Sequence, residues 1–130
     1  MAGSRPRWSH TIILEATATS ASEARAFVSR HLVDHRLVRL DDRVRLVASE
    51  LATNALVHAQ TAFSVTLSAD DHAVLLTVRD DSDSLPARRA AQVMDASGRG
   101  LEIVAIVSTD WGVNQDRAGS KAVWASFAIG

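Results

Sequence analysis

The sequence predicts an α+β fold: a two-layer sandwich in which a mixed, mainly antiparallel sheet carries helices on one face. Three observations lead there. The chain has 130 residues, 47% hydrophobic and 22% charged, which suits one compact domain with a real core. Apolar periodicity switches between 2 and 3.6 in the order strand, two helices, two strands, loop, helix, two strands. Strands and helices do not alternate strictly, so a doubly wound parallel sheet fits less well.

Taken in order, residues 1–8 read as a loose tail and residues 9–130 as the folded domain. His10 to Ala16 holds Ile12, Ile13 and Leu14 beside Thr11, a first strand. Ser20 and Glu23 have the spacing of a capping box. Ala24, Phe27, Val28, His31, Leu32 and His35 then follow at helical spacing. Asp41 is placed to cap a second helix, with Asp42 in the first turn where the helix dipole favours a carboxylate. The apolar stripe of this helix is Val44, Val47, Ala48, Leu51 and Ala55. Phe63, Val65 and Leu67 alternate with Ser64, Thr66 and Ser68, as in a half-buried strand. A turn at Asp70-Asp71-His72 leads into Val74–Val78, a nearly continuous apolar run read as a central strand, and the two strands make a hairpin. Asp80 to Pro86 is acidic and turn-rich, and Arg88 to Met94 reads as a short helix or a loop. Leu101 to Val107 is apolar almost all round, the pattern of a buried helix. Trp111–Asn114 and Ala122–Ile129 form a last hairpin joined through Asp116 to Gly119.

Composition removes several function classes. The formal net charge is −1, from 14 basic and 15 acidic residues, so no concentrated basic footprint for nucleic acid is expected. There is no cysteine, which excludes disulfides and thiolate metal sites. No apolar run is long enough to span a bilayer. Met1 to Ser9 lacks the apolar core of a secretory signal. A cytoplasmic protein without a membrane partner is expected.

Four places are hard to explain by packing alone. Glu50 and Asn54 stand four apart on the second helix, and His58 extends the row. An asparagine in the middle of an apolar helix needs a partner. Mg²⁺, which takes hard oxygen ligands, is one; an ordinary surface pair accounts for the same two residues. Asp80-Asp81-Ser82-Asp83 follows an apolar strand, where a carboxylate can accept from an exocyclic amine such as that of adenine; a solvated turn is the plain alternative. Gly98-Arg99-Gly100-Leu101 opens the apolar helix, where glycines admit a phosphate and free N–H groups favour an anion. It is not a dinucleotide fingerprint, since the third glycine is missing, and there is no Walker pattern. Gly119-Ser120-Lys121 precedes the last strand and reads alone as a hairpin turn. His31 and His35, four apart, have helical metal-ligand spacing but no evident third ligand.

Order and spacing join these signals. Glu50-Leu51-Ala52-Thr53-Asn54-Ala55-Leu56-Val57-His58-Ala59 closely resembles the N box of the GHKL ATP-binding superfamily, in the form found in anti-sigma-factor serine kinases. Val78-Arg79-Asp80-Asp81-Ser82 falls where the G1 box belongs. Ser97 to Leu101 resembles the G2 box, and Gly119-Ser120-Lys121 the G3 region. The resemblance runs from about Ile12 to the C-terminus. It implies the Bergerat fold, a sheet covered on one face by helices, with ATP held between the helices and a lid at Ser84–Ser97.

By the same resemblance, Asn54 would hold Mg²⁺ and Glu50 would be the general base. Asp80 would bind the adenine amine, Gly98, Arg99 and Gly100 would line the phosphates, and Ser120 would support the adenine end. Ser82 and Leu101 fall in the same nucleotide-binding boxes. Apart from the resemblance, the charge of Arg88 and Arg89 in the lid would let them reach phosphate, with solvated surface charge as the plain alternative. One departure stands out. Ser82 and Ser84 occupy G1 positions where the family usually has glycine, and a Cβ there resists positive φ.

The implied function is an ATP- and Mg²⁺-dependent protein serine/threonine kinase. Members of the family hold a sigma factor inactive and phosphorylate an antagonist protein on serine, often as homodimers. The alternative is a non-catalytic, nucleotide-gated binding module. The presence of Glu50 favours the kinase, and the altered G1 box favours the module. A histidine kinase is not expected, because 130 residues leave no room for a phosphoacceptor hairpin.

Overall fold

The computed structural model describes residues 6–58, 61–80, 98–115 and 120–129, without the side chains of residues 58 and 98–101. Its elements are β1 (Trp8–Leu14), α1 (Ser20–Asp34), a 3₁₀ turn at Val38–Leu40, α2 (Asp41–His58), β2 (Phe63–Ala69), β3 (Ala73–Asp80), α3 (Gly98–Val107), β4 (Asp110–Gln115) and β5 (Lys121–Ala128). The five strands form one sheet in the order β1-β2-β3-β5-β4. Every pairing is antiparallel. The α+β expectation holds, and "mixed" narrows to antiparallel among the described strands.

Alternation fixes which face is covered. Phe63, Val65, Leu67 and Ala69 of β2 are buried, as are Val74, Leu76 and Val78 of β3 and Val123, Ala125 and Phe127 of β5. These face α1 and α2, whose Ala24, Val28, Leu32, Val44, Val47, Ala48, Leu51 and Ala55 complete one core. The opposite face carries Ser9, Thr11, Ser64, Thr66, Leu75, Thr77, Arg79 and Trp124 and has no described layer over it. Val74–Val78 is central in the sheet, as its composition predicts, yet it is buried on one face only, and Leu75 is partly exposed. The hairpin turn after β2 is held by the Asp70 carboxylate, which accepts from the backbone N–H groups of His72 and Ala73. Those bonds hold its pKa below the ordinary carboxylate value.

Several local expectations are corrected. β1 begins at Trp8, two residues before the predicted start, and Arg7 donates to the Ala69 carbonyl. Ser20 and Glu23 do not form a capping box. Thr19 is the N-cap and makes no side-chain capping bond, Ser20 is buried in the first turn and donates to the Thr17 carbonyl, and Glu23 accepts from the Thr19 hydroxyl. Asp41 does not cap α2 from outside. The 3₁₀ turn runs directly into the helix, and the Asp41 carboxylate accepts from Ser29 at 2.6 Å, tying α2 to α1. α1 ends without glycine: Arg36 takes φ 61° while Arg36 and Leu37 donate back to Val33 and Leu32, a Schellman end. Finally, α3 is not buried all round. It packs on α2 and β4 through Val104, leaving Ile106 80% exposed. It lies at the margin of the helical layer, so one narrow stripe finds a partner.

Candidate functional site

Five polar or charged residues are buried among the described residues: Ser20, Asn54, Asp80, Ser120 and Lys121. Ser20 is accounted for by its bond to Thr17. The other four come from the C-terminal half of α2, the last residue of β3 and the start of β5. The register brings three of them together, because Asp80 lies opposite Lys121 and Ser120 precedes it. Asp80 also lies opposite Phe63, the first residue of β2. Only four residues separate Phe63 from His58, the end of α2. The C-terminal end of α2 is thereby tied to the same end of the sheet.

Asp80 and Lys121 are each 2% exposed and sit on the sheet face that α2 covers, continuing the rows Val74-Leu76-Val78 and Val123-Ala125-Phe127. Around them the Ser120 hydroxyl accepts from Arg79 at 3.0 Å and makes a long contact with the Asp80 carbonyl at 3.5 Å. Arg79 itself belongs to the uncovered face. Asn54 is 5% exposed, and its amide nitrogen is buried with no hydrogen-bond partner among the described residues. Leaving such a donor unsatisfied costs about 1–3 kcal/mol, so the fold carries a deficit that packing does not explain. Glu50, one turn earlier, is half-buried. Arg25 of α1 reaches the neighbouring Ser49 hydroxyl at 2.9 Å.

The sequence reading therefore finds Asn54, Asp80 and Ser120 where the structure buries polar groups, and Glu50 on the same helix. Gly98, Arg99 and Gly100 occupy the first turn of α3, which packs against α2; the side chains of Arg99 and Leu101 are outside the description. Ser82, Ser84, Arg88, Arg89 and the Ser84–Ser97 lid also lie outside the described residues. The sequence reading missed Lys121, which it placed in a turn. The detectable signal was its place at the head of the alternating run Lys121, Val123, Ala125, Phe127, which puts a lysine on the core face of the strand.

Two other features lie apart from this site. A shallow groove lined by Leu75, Thr77, Arg79, Asn114, Ala122 and Trp124 runs over the uncovered sheet face. Trp8, His10, His31 and His35 form a stack between β1 and α1, with rings 3.8 Å apart for His10 and His31 and 3.9 Å apart for Trp8 and His35. The His10 and His35 Nε2 atoms are hydrogen-bonded at 2.9 Å. Burial, then the charges of His10 and Arg30, lower the His31 pKa from 6.5, with Asp34 opposing and His35 adding. His31 and His35 thus both serve this ring stack, and among the described residues no group of three side chains that could hold a metal is found. No described helix is long and apolar enough to cross a membrane.

Residues 14–127 match the family model described as the histidine kinase-like ATPase domain. No curated protein matches the chain.

Proposed function

The chain belongs to the histidine kinase-like ATPase domain family, and we propose that it is an ATP- and Mg²⁺-dependent protein serine/threonine kinase of the anti-sigma-factor type. The observation that carries the nucleotide site is the buried amide of Asn54, without a partner among the described residues, at the end of the sheet that also buries Asp80 and Lys121. Asn54 would hold the metal-bound triphosphate, its amide offering an oxygen that suits Mg²⁺ and an N–H donor that suits phosphate. Bound Mg²⁺ supplies charge neutralisation for the triphosphate. Asp80 accepts from the adenine amine, and Ser120 braces it through the contact between its hydroxyl and the Asp80 carbonyl. The N–H groups of the first turn of α3, at Gly98–Gly100, would favour phosphate.

Glu50 stands one turn from Asn54 and half in solvent. That position suits a carboxylate that takes the proton of an incoming serine hydroxyl as the γ-phosphoryl leaves ATP, while alignment and charge supply the rest of the catalysis. In this reading the protein partners are a sigma factor, held inactive by binding, and an antagonist protein phosphorylated on serine. A homodimer would use the uncovered sheet face around Leu75 and Trp124.

The test is a phosphotransfer assay with the serine-bearing antagonist. Glu50→Gln should bind ATP as wild type does and lose roughly 10²–10⁴ in transfer rate, the scale of a general base. Transfer at the wild-type rate would end the mechanism. A wild type that binds ATP and partner but never transfers phosphate would establish the gated-module reading instead.

A further inference from the structure

We propose that His10 and His35 form a one-proton latch between β1 and the end of α1, closed while the pair holds at most one proton beyond its neutral rings and opened by a second. Trp8, His10, Ile12 and Leu14 alternate onto the helix-covered face of β1, which lies at an edge of the described sheet. His31 stands in the last turn of α1, and His35 is its C-cap. The rings interleave. Those of Trp8 and His35 stack 3.9 Å apart and 3° from parallel, those of His10 and His31 3.8 Å apart and 9° from parallel, and Phe27 meets His31 edge-on. Each stack thus joins one ring of the strand to one ring from α1. The 2.9 Å bond between the Nε2 atoms of His10 and His35 joins the two stacks. Their ring centres are 5.2 Å apart, which leaves room for little more than that gap and the two ring radii, so the bond runs nearly head-on.

The chemistry of this bond sets the proton limit. With both rings neutral, one Nε2–H donates and the other Nε2 accepts. A first added proton goes to Nδ1 of the donating ring, which keeps the bond and makes it charge-assisted. The accepting Nε2 then holds the last lone pair, so a second proton can enter only there. Two N–H groups of two cations would face each other, and the bond becomes a repulsion. The surroundings favour one charge, through the face of Trp8 and the C-terminal end of α1. They oppose more: His31 stacks on His10, and burial first, then the charges of His10 and Arg30, lower the His31 pKa, with Asp34 opposing. The other charges nearby are engaged elsewhere. Arg7 pairs with Asp71, Arg39 donates to the Ile129 carbonyl, and on the α2 side Arg25 and Asp41 bond Ser49 and Ser29. β2 carries no charged residue, and Arg36, next to His35, is exposed. The pair therefore takes up its protons in two separated steps, and only the second parts the strand from the helix.

The experiment follows the full chain and the variants His10→Gln, His35→Gln and His31→Gln from pH 7.5 to 5.0. Amide hydrogen exchange, corrected for its intrinsic pH dependence, compares the protection of residues 8–12 with that of β3 and β5. Wild type should lose roughly 10- to 100-fold of protection in β1 alone, the scale of one hydrogen bond to a charged group. His10→Gln and His35→Gln cannot place two charges across the bond, so their β1 protection should stay level over the range. His31→Gln should keep the loss. An equal loss in all four proteins overturns the proposal and makes the rings packing only. A loss shared by β3 and β5, which is global acid unfolding, overturns it too, as does wild-type β1 protection that never changes. Nitrogen NMR of the wild-type imidazoles needs no variant to fold. A scalar coupling across the bond between the two Nε2 atoms should be present at pH 7.5 and vanish where β1 loosens; its absence at pH 7.5, or its persistence through that loss, overturns the latch.

Discussion

Replacing Asn54 by leucine separates a residue kept for folding from one kept for a ligand. Both side chains branch at Cγ into two heavy atoms, leucine being the bulkier, so the helix seat stays filled. Among the described residues the wild-type amide nitrogen is buried with no partner, a deficit of about 1–3 kcal/mol that leucine removes, less any overpacking by its methyl groups. At roughly 4 °C per kcal/mol for a domain of this size, the ligand-free variant should melt about 4–12 °C above wild type. Mg-ATP should reverse the order. At a hundred times its Kd a native-state ligand adds about 2.7 kcal/mol, roughly 10 °C, to wild type. The variant, lacking the amide oxygen for the metal, should show little Mg-dependent shift. Differential scanning fluorimetry with and without ATP and Mg²⁺ gives all four melting points. A variant less stable than wild type by more than about 1 kcal/mol, with an undiminished Mg-ATP shift, would refute the argument. Asn54 would then be a packing residue, and the site would have to be sought elsewhere.

Other consequences follow from the rest of the fold. A Cβ at Gly112 would stand 2.8 Å from Cζ2 of Trp124, its register partner on β5. Gly112→Ala should therefore cost about 1–3 kcal/mol of overpacking, less up to roughly 1 kcal/mol from a stiffer unfolded chain; urea denaturation showing a stabilised variant would contradict this. The His31 pKa is lowered in the folded state, so as pH falls through 6.5 the unfolded chain takes up the proton first and stability declines. Above that pH the group is neutral in both states and contributes no slope. His31→Gln should flatten the part of the decline just below pH 6.5 that His31 contributes, checked by denaturation at pH 7.5 and 5.5; an unchanged difference between the two pH values would refute the His31 assignment.

The sequence carries the sheet well because its strands are covered on one face. Phe63 to Ala69 alternates apolar and hydroxylated residues, and the burial follows residue by residue. It carries helix ends poorly. The Ser20/Glu23 spacing is correct for a capping box, but a turn at Thr17 takes the serine hydroxyl first, and no pattern rule weighs that competition. The end of α1 is hidden for a similar reason, since Arg36 holds a conformation usually given to glycine. α3 misleads because apolar composition reports what a helix could bury, whereas its place at the edge of the layer decides what it does bury. At the site, Asn54 and Asp80 are readable because each is a polar residue out of place in an apolar stretch. Lys121 is not, because a lysine next to Gly119 and Ser120 looks like a turn until the start of β5 is fixed.

The burial of these groups also bears on how kinase and module could diverge. Asn54, Asp80 and Lys121 are buried on the face between α2 and the sheet, so several enclosed side chains share the proposed nucleotide site. Glu50 is half-exposed, and a carboxylate-to-amide change there meets little packing constraint; such changes usually stay within about 0.5 kcal/mol. In the proposed arrangement nucleotide binding draws on several buried side chains, while phosphoryl transfer hangs on one replaceable side chain. A descendant of this fold can therefore shed catalysis in a single substitution and keep a nucleotide-dependent surface.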